Sequence, residues 1–203
     1  MLAETIIANF DTYTDDMSEL SSVQKYALLN KKYREVSNWS EWEWLREIGS
    51  VVIAANAIPL PANFKRLAEE FETIGGGAYD GFRFFFWIGN IAYPIINMKD
   101  RRRYDTQAYL DVKNSKIVLQ DLTVSGTAEF DMYGSVTDIA AGESPVFDSD
   151  YHPVLYHMMA IDHEIIDQSE KARSLRAENE VAIDGYRKDM EYDNAGNQED
   201  FQQ

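Results

Sequence analysis

The chain has 203 residues, 45% of them apolar and 13% aromatic, enough for one sizeable core or for a helical core with a smaller β module, which excludes wholesale disorder. A formal net charge of −16 argues against a protein that grips DNA or an anionic membrane, because such binders use a basic face to displace counterions. The absence of cysteine excludes disulfides, thiolate metal sites and cysteine nucleophiles.

Residues 1–21 carry five acids and no lysine or arginine around a short apolar stretch, Ile6 to Phe10, and read as a loosely attached N-terminal arm. No basic segment opens the chain, so no secretory signal is expected. Residues 22–81 read as a helix leading into strands. Over 22–36, Val23, Tyr26, Leu29, Tyr33 and Val36 recur at spacings of three and four, which makes one stripe of a helix. Ser21 or Ser22 can cap its start, and Ser37-Asn38 ends it. Trp39, Trp42 and Trp44 follow. Ser40 and Glu43 have capping-box spacing, whereas strand alternation would set Trp42 and Trp44 on one face. The three indoles read as core wedged between helix and sheet in preference to an exposed binding platform. Val51, Val52, Ile53 and Ile58 are strand-like until Pro59 and Pro61 stop the run. Asn63 to Leu67 predicts a helical turn or short helix, ending at the loop Gly75-Gly76-Gly77. That loop lacks the Gly-Lys-Ser/Thr sequel of a phosphate cradle.

Residues 82–140 read as a β module of short alternating strands, with Lys113-Asn114-Ser115 as a hairpin-like turn. Its most apolar window, Phe82 to Met98, is broken by Arg83, Gly89, Asn90, Pro94 and Asn97 and cannot span a bilayer as a helix; no membrane association is expected. After a turn-rich connection, Pro153 suits the first turn of a helix running to about Gln168, apolar over most of its circumference. The C-terminal helices occupy 150–190. The second, over 170–190, is polar with a thin stripe of Leu175, Val181, Tyr186 and Met190, and 191–203 reads as a flexible tail that only a partner would order. The whole predicts an α+β single domain: a helical bundle from the N- and C-terminal helices with an inserted antiparallel β-sheet module.

Chemistry-bearing patterns are sparse. His163 and Asp167 are four apart and could face one metal, but His157 points elsewhere and no His-Glu-x-x-His pattern exists. His152, His157 and His163 read as surface or hydrogen-bonded helix histidines. Asp162, Glu164 and Asp167 scatter round a helix as a solvated acidic face. Arg101-Arg102-Arg103 is the one basic run, suited to inter-subunit charge contacts or to a DNA phosphate. No catalytic residue, metal ligand or cofactor is expected, and the chain does not read as an enzyme.

One ordered set of motifs carries a resemblance. Tyr33-Arg34-Glu35-Val36 leads to Trp39 and then Trp42-Glu43-Trp44-Leu45. A β run closes on Leu60-Pro61-Ala62-Asn63-Phe64-Lys65-Arg66. The β-rich middle leads to Phe147-Asp148-Ser149-Asp150-Tyr151-His152-Pro153-Val154-Leu155. Over residues 20–190 this order resembles head-to-tail connector (neck adaptor) proteins of tailed bacteriophages, the adaptor class related to tail tubular protein A. The resemblance implies a structural virion protein of the neck, assembled in the host cytoplasm. It would form a ring with copies of itself, a dodecamer, beneath the portal protein and join it to a downstream tail or stopper protein. Double-stranded DNA would pass through the lumen without specific binding. The helical part would line the ring, the β part would face outward or toward the tail, and the C-terminal segment bearing Leu175, Val181, Tyr186, Met190 and Phe201 would dock onto the portal. The low basicity and the triple arginine depart from the family pattern. Two other readings are a stopper or tail-completion protein and a small metal-dependent hydrolase using His157, His163 and nearby carboxylates.

Overall fold

Four α-helices and eight strands appear among the described residues of the computed structural model, which are 1–14, 20–69, 82–96, 107–167 and 170–200. The chain divides into a helical unit, Met1–Trp44 with Val136–Gln203, and a β unit, Leu45–Ser135.

The helical unit contains α1 (Ala3–Thr14), α2 (Ser22–Val36), α3 (Pro153–Asp167) and α4 (Glu170–Asp200). The loosely attached arm expected at the N-terminus is instead the docked helix α1, which buries Ala3, Ile6 and Phe10 at helical spacing. Its acids make contacts within the helical unit. Glu4 accepts from the Gly142 N–H at 2.6 Å, and Asp11 pairs with Lys25 of α2 at 2.5 Å. Helix α2 starts where its pattern predicts, with Ser21 as N-cap and Gln24 completing a capping box. Its buried face is turned from the expected stripe: Leu29, Tyr33 and Val36 are buried along with Lys25, Asn30 and Lys32, whereas Val23 is exposed. The Asn30 amide then pairs with both backbone groups of Ile139, at 3.2 and 2.7 Å, a buried two-bond clasp on the returning chain. Trp42 is fully buried, donates its indole N–H to the Val36 carbonyl at 2.8 Å and stacks on Trp44. Trp39 and Trp44 are half-buried.

Helix α3 begins at Pro153, whose missing N–H costs nothing at a first-turn position. Helix α4 has 31 residues against 15 for α3. The flexible tail expected from residue 191 is therefore helix up to Asp200. The stretch is held by polar contacts that a search for apolar stripes cannot see. Asn194 accepts from the Glu43 N–H at 2.8 Å and donates to the Glu41 carbonyl at 3.0 Å, and Asp193 accepts from the Tyr151 hydroxyl.

The β unit holds β1 (Arg46–Val52), β2 (Ala57–Pro59), β3 (Phe64–Leu67), β4 (Phe85–Ile88), β5 (Ile91–Ile96), β6 (Gln107–Asp111), β7 (Lys116–Gln120) and β8 (Thr127–Gly134). They form one sheet in the order β1-β8-β4-β5-β6-β7-β2, with β3 also pairing β8. The two ends of that path are consecutive in sequence, joined by a tight turn that carries an Ala54–Ala57 bridge, and the sheet curls nearly into a barrel. Its core is built from alternate inward residues, among them Ile58, Phe86, Ile95, Ile117, Phe130 and Met132. The expected helical bundle with an inserted antiparallel module is thus overturned. The protein is mixed α/β, with four helices and a large eight-stranded sheet that has its own core, and β5 and β6 pair in parallel. Two-residue periodicity marks strands but is silent on their order and direction. The short helix expected at Asn63 to Leu67 is likewise strand β3, bulged between Phe64 and Arg66 where it joins β8. Arg66 lies 5.0 Å over the Tyr133 ring, a cross-strand contact that a helix would not make.

Gly49 faces Phe130 across the β1–β8 pair, and a Cβ there would sit 2.8 Å from the Phe130 ring. Phe130 is 1% exposed and has no room to retreat. Gly49→Ala should destabilise the protein by about 1–3 kcal/mol by overpacking. Gly142, where an added Cβ meets nothing but φ is +82°, should show only backbone strain on the same substitution. Urea unfolding followed by tryptophan fluorescence distinguishes them.

Candidate functional site

Helix α3 sets the geometry of the helical unit by facing α2 with one side and α4 with another. Toward α2 it presents Asp162, whose carboxylate meets Lys31 Nζ at 2.6 Å and Lys32 Nζ at 2.8 Å. The Lys32 side chain is only 7% exposed and also reaches Glu35 at 3.0 Å. Burial alone would raise the Asp162 pKa, but hydrogen bonds and charge from the two ammonium groups outweigh it and hold the carboxyl below its ordinary value. The same hydrogen bond raises Lys31.

Toward α4, α3 presents His157. Its Nδ1 lies 2.8 Å from Oδ1 of Asn179, a fully buried amide, so with that oxygen as acceptor the ring nitrogen donates. Tyr13, Tyr156 and Tyr186 surround the imidazole. Burial lowers the His157 pKa, with the Asn179 bond opposing it. His152 is also pushed down by burial while its Nε2 meets the Phe147 carbonyl at 2.9 Å. His163 is buried, with its ring at the edge of Phe10. The histidines therefore serve three separate packing contacts. Among the described residues no three metal-binding side chains converge, and no helix is long and apolar enough to cross a membrane.

Between α2, α3 and α4 an open groove of about 300 Å³ remains. It is lined by Lys32, Glu35 and Trp39, by Met158 and Ile161 of α3, and by Glu180, Ile183, Asp184 and Arg187 of α4. Arg187 lies 5.7 Å over the Trp39 ring.

The C-terminal residues singled out from sequence do not share one face. Met190 is buried at 3% exposure, Leu175 and Tyr186 are half-buried, and Val181 is 74% exposed. The reason is angular: six residues on from Leu175 is about 240° round a helix, whereas eleven is about 20°. Asn179, a polar residue, completes the inner face that Val181 was expected to join. Phe201 and the run Arg101, Arg102 and Arg103 lie outside the described residues. Sequence reasoning missed the groove and the Lys32–Asp162 contact, for which the only signal was two lysines within an otherwise apolar helix face. No protein-family model matches the chain, and no curated protein matches it.

Two outcomes test these contacts. Asp162→Ala leaves Lys32 buried beside Glu35 alone and should cost about 3 kcal/mol in urea unfolding. For His157, the folded pKa lies below the unfolded 6.5, so the unfolded chain binds the proton first. Stability is complete above that value and is lost as pH falls toward the folded pKa. His152 adds in the same direction. The unfolding midpoint should drop between about pH 7.5 and about pH 5.5, and His157→Gln should flatten part of that slope.

Proposed function

We propose that this chain is a structural virion protein, a head-to-tail adaptor that assembles as a ring beneath the portal of a tailed bacteriophage, connects capsid to tail and lets DNA pass. The observation that carries this reading is the outward side of α4. Ala177, Val181, Gly185 and Tyr192 fall along one side at spacings of four, four and seven. Val181 is 74% and Tyr192 80% exposed, and a Cβ built on Gly185 meets nothing within 4 Å. On its opposite side α4 is already packed through Asn179 and Met190. A long helix with one satisfied face and a second, partly apolar face open to solvent suits a subunit completed by neighbours. The motif order from Tyr33 to Leu155 supports the same reading. The net charge of −16 suits a lumen past which DNA slides.

A stopper or tail-completion role shares this assembly physics and differs in partner. Electron microscopy of purified protein mixed with isolated portal rings separates the two. An adaptor adds a ring of density to the portal, and the paired substitutions Val181→Asp and Tyr192→Asp, both at exposed positions, abolish it while leaving the helical circular dichroism intact. Binding to tails with indifference to portals favours the stopper. Failure to bind any virion component contradicts both.

A further inference from the structure

We propose that the outward side of α4 docks a basic helix of a partner protein, one that carries two cationic side chains eleven residues apart beside small apolar ones. This deepens the adaptor reading and rests on the same open face, to which it gives a chemistry.

A four-residue pattern occurs twice along α4. Glu178-Asn179-Glu180-Val181 is followed eleven residues on by Asp189-Met190-Glu191-Tyr192. Eleven residues are close to three full turns, about 16 Å of axis and about 20° of rotation, so the two copies stand one above the other. In each copy the second residue, Asn179 or Met190, is buried, and the fourth, Val181 or Tyr192, is 74% or 80% exposed. In each copy the first residue, Glu178 or Asp189, is an exposed carboxylate about 60° round the helix from that apolar side chain. Gly185 lies between the copies with open space where a Cβ would be, so a second helix can approach the backbone there.

The charges on this side do not balance. Lys188 and Asp184 pair with each other at 2.5 Å, and on the flank Glu180 pairs with Arg176 and Glu191 with Arg187. Glu178 and Asp189 have no cation partner among the described residues. Two carboxylates are therefore left uncompensated, one at each repeat. Tyr151 registers the negative potential near the second. Its pKa is pushed up to about 12 by a hydrogen bond to Asp193, by burial, and by the charges of Asp193, Asp189 and Asp148.

The same imbalance names the occupant. The helical unit holds 24 of the 35 acids and 9 of the 19 lysines and arginines, whereas the β unit holds 11 and 10. The α4 of a sister copy brings the same bare carboxylates and is repelled. A partner helix with cations at the eleven-residue spacing meets both carboxylates at once while its small apolar side chains cover Val181 and Tyr192.

The probe is a capped helical peptide with two arginines eleven residues apart and alanine and leucine along the same side. One control moves the second arginine two residues on, which turns it about 200° away; another has glutamate for both arginines. Titrated into isotopically labelled protein, the first peptide should shift the Ala177 and Val181 methyl signals and the Gly185 amide and leave the β unit unmoved. The displaced arginine should weaken binding about threefold and the glutamates at least about tenfold. Glu178→Gln with Asp189→Asn should weaken the first peptide about fivefold. Glu129→Gln with Asp121→Asn removes the same charge from exposed positions of the β unit and should change nothing. No binding of the first peptide, equal binding of the glutamate peptide, shifts scattered over the surface, or equal weakening by both pairs of substitutions would overturn the proposal. Portal rings that bind the unaltered protein and the Glu178→Gln, Asp189→Asn protein equally would overturn it too, while leaving the adaptor reading in place.

Discussion

The helical unit is tied together by buried ammonium groups on α2: Lys25 meets Asp11 of α1, and Lys32 meets Asp162 of α3. Lys32 has a side chain 7% exposed, and a lysine taken so far out of water must find a carboxylate or lose its charge. Asp162 supplies it and binds Lys31 as well, which leaves α3 one rotation against α2. His157, five residues earlier, is then about 140° round the same helix and faces α4, where Asn179 receives it. With Asn179 held inward, Val181 two residues on is turned about 200° away and must face solvent. The outward stripe of α4 thus lies on the side of that helix turned away from Asn179.

The β unit answers to a different constraint. Its strands are three to eight residues long, too short to be stable in pairs, so they must close on one another to share a core. The tight turn at Ala54–Ala57 brings the two end strands of the sheet next to each other in sequence, and curling of the sheet limits the exposed edges that would otherwise invite other strands. Pro94 sits within β5 opposite Phe85, a ladder position with one donor missing. Phe86 and Tyr93 stack next to it at 5.0 Å on the inner face.

How much of this was legible in the sequence depended on which residues make the contacts. Helix α2 and the start of α3 were readable because a serine cap and a first-turn proline are local signals. Most strands were readable from alternation. The burial of α1 was not, since its acids look like solvent-facing charge until Gly142 and Lys25 are brought to them by the rest of the chain. The length of α4 was hidden for the same reason: its last turns are secured by Asn194 and Asp193, whose partners lie some 150 and 42 residues away. The expected stripe of α4 misplaced Val181, because an apolar residue was preferred to an asparagine for the inner face. The groove draws on three helices and has no signature on any one of them.

A chain whose buried polar contacts set the rotation of its longest helix, with that helix's other side left open, is suited to joining an assembly. The absence of cysteine allows single thiols to report on this directly. Cysteine at Val181 should react with a maleimide at the rate of a free thiol in the isolated protein and become protected when the protein is bound to portal rings, while cysteine at Met190 should be protected in both states. Equal reactivity at the two positions in the isolated protein, or a Val181 site whose labelling is unaltered by assembly, would contradict the account.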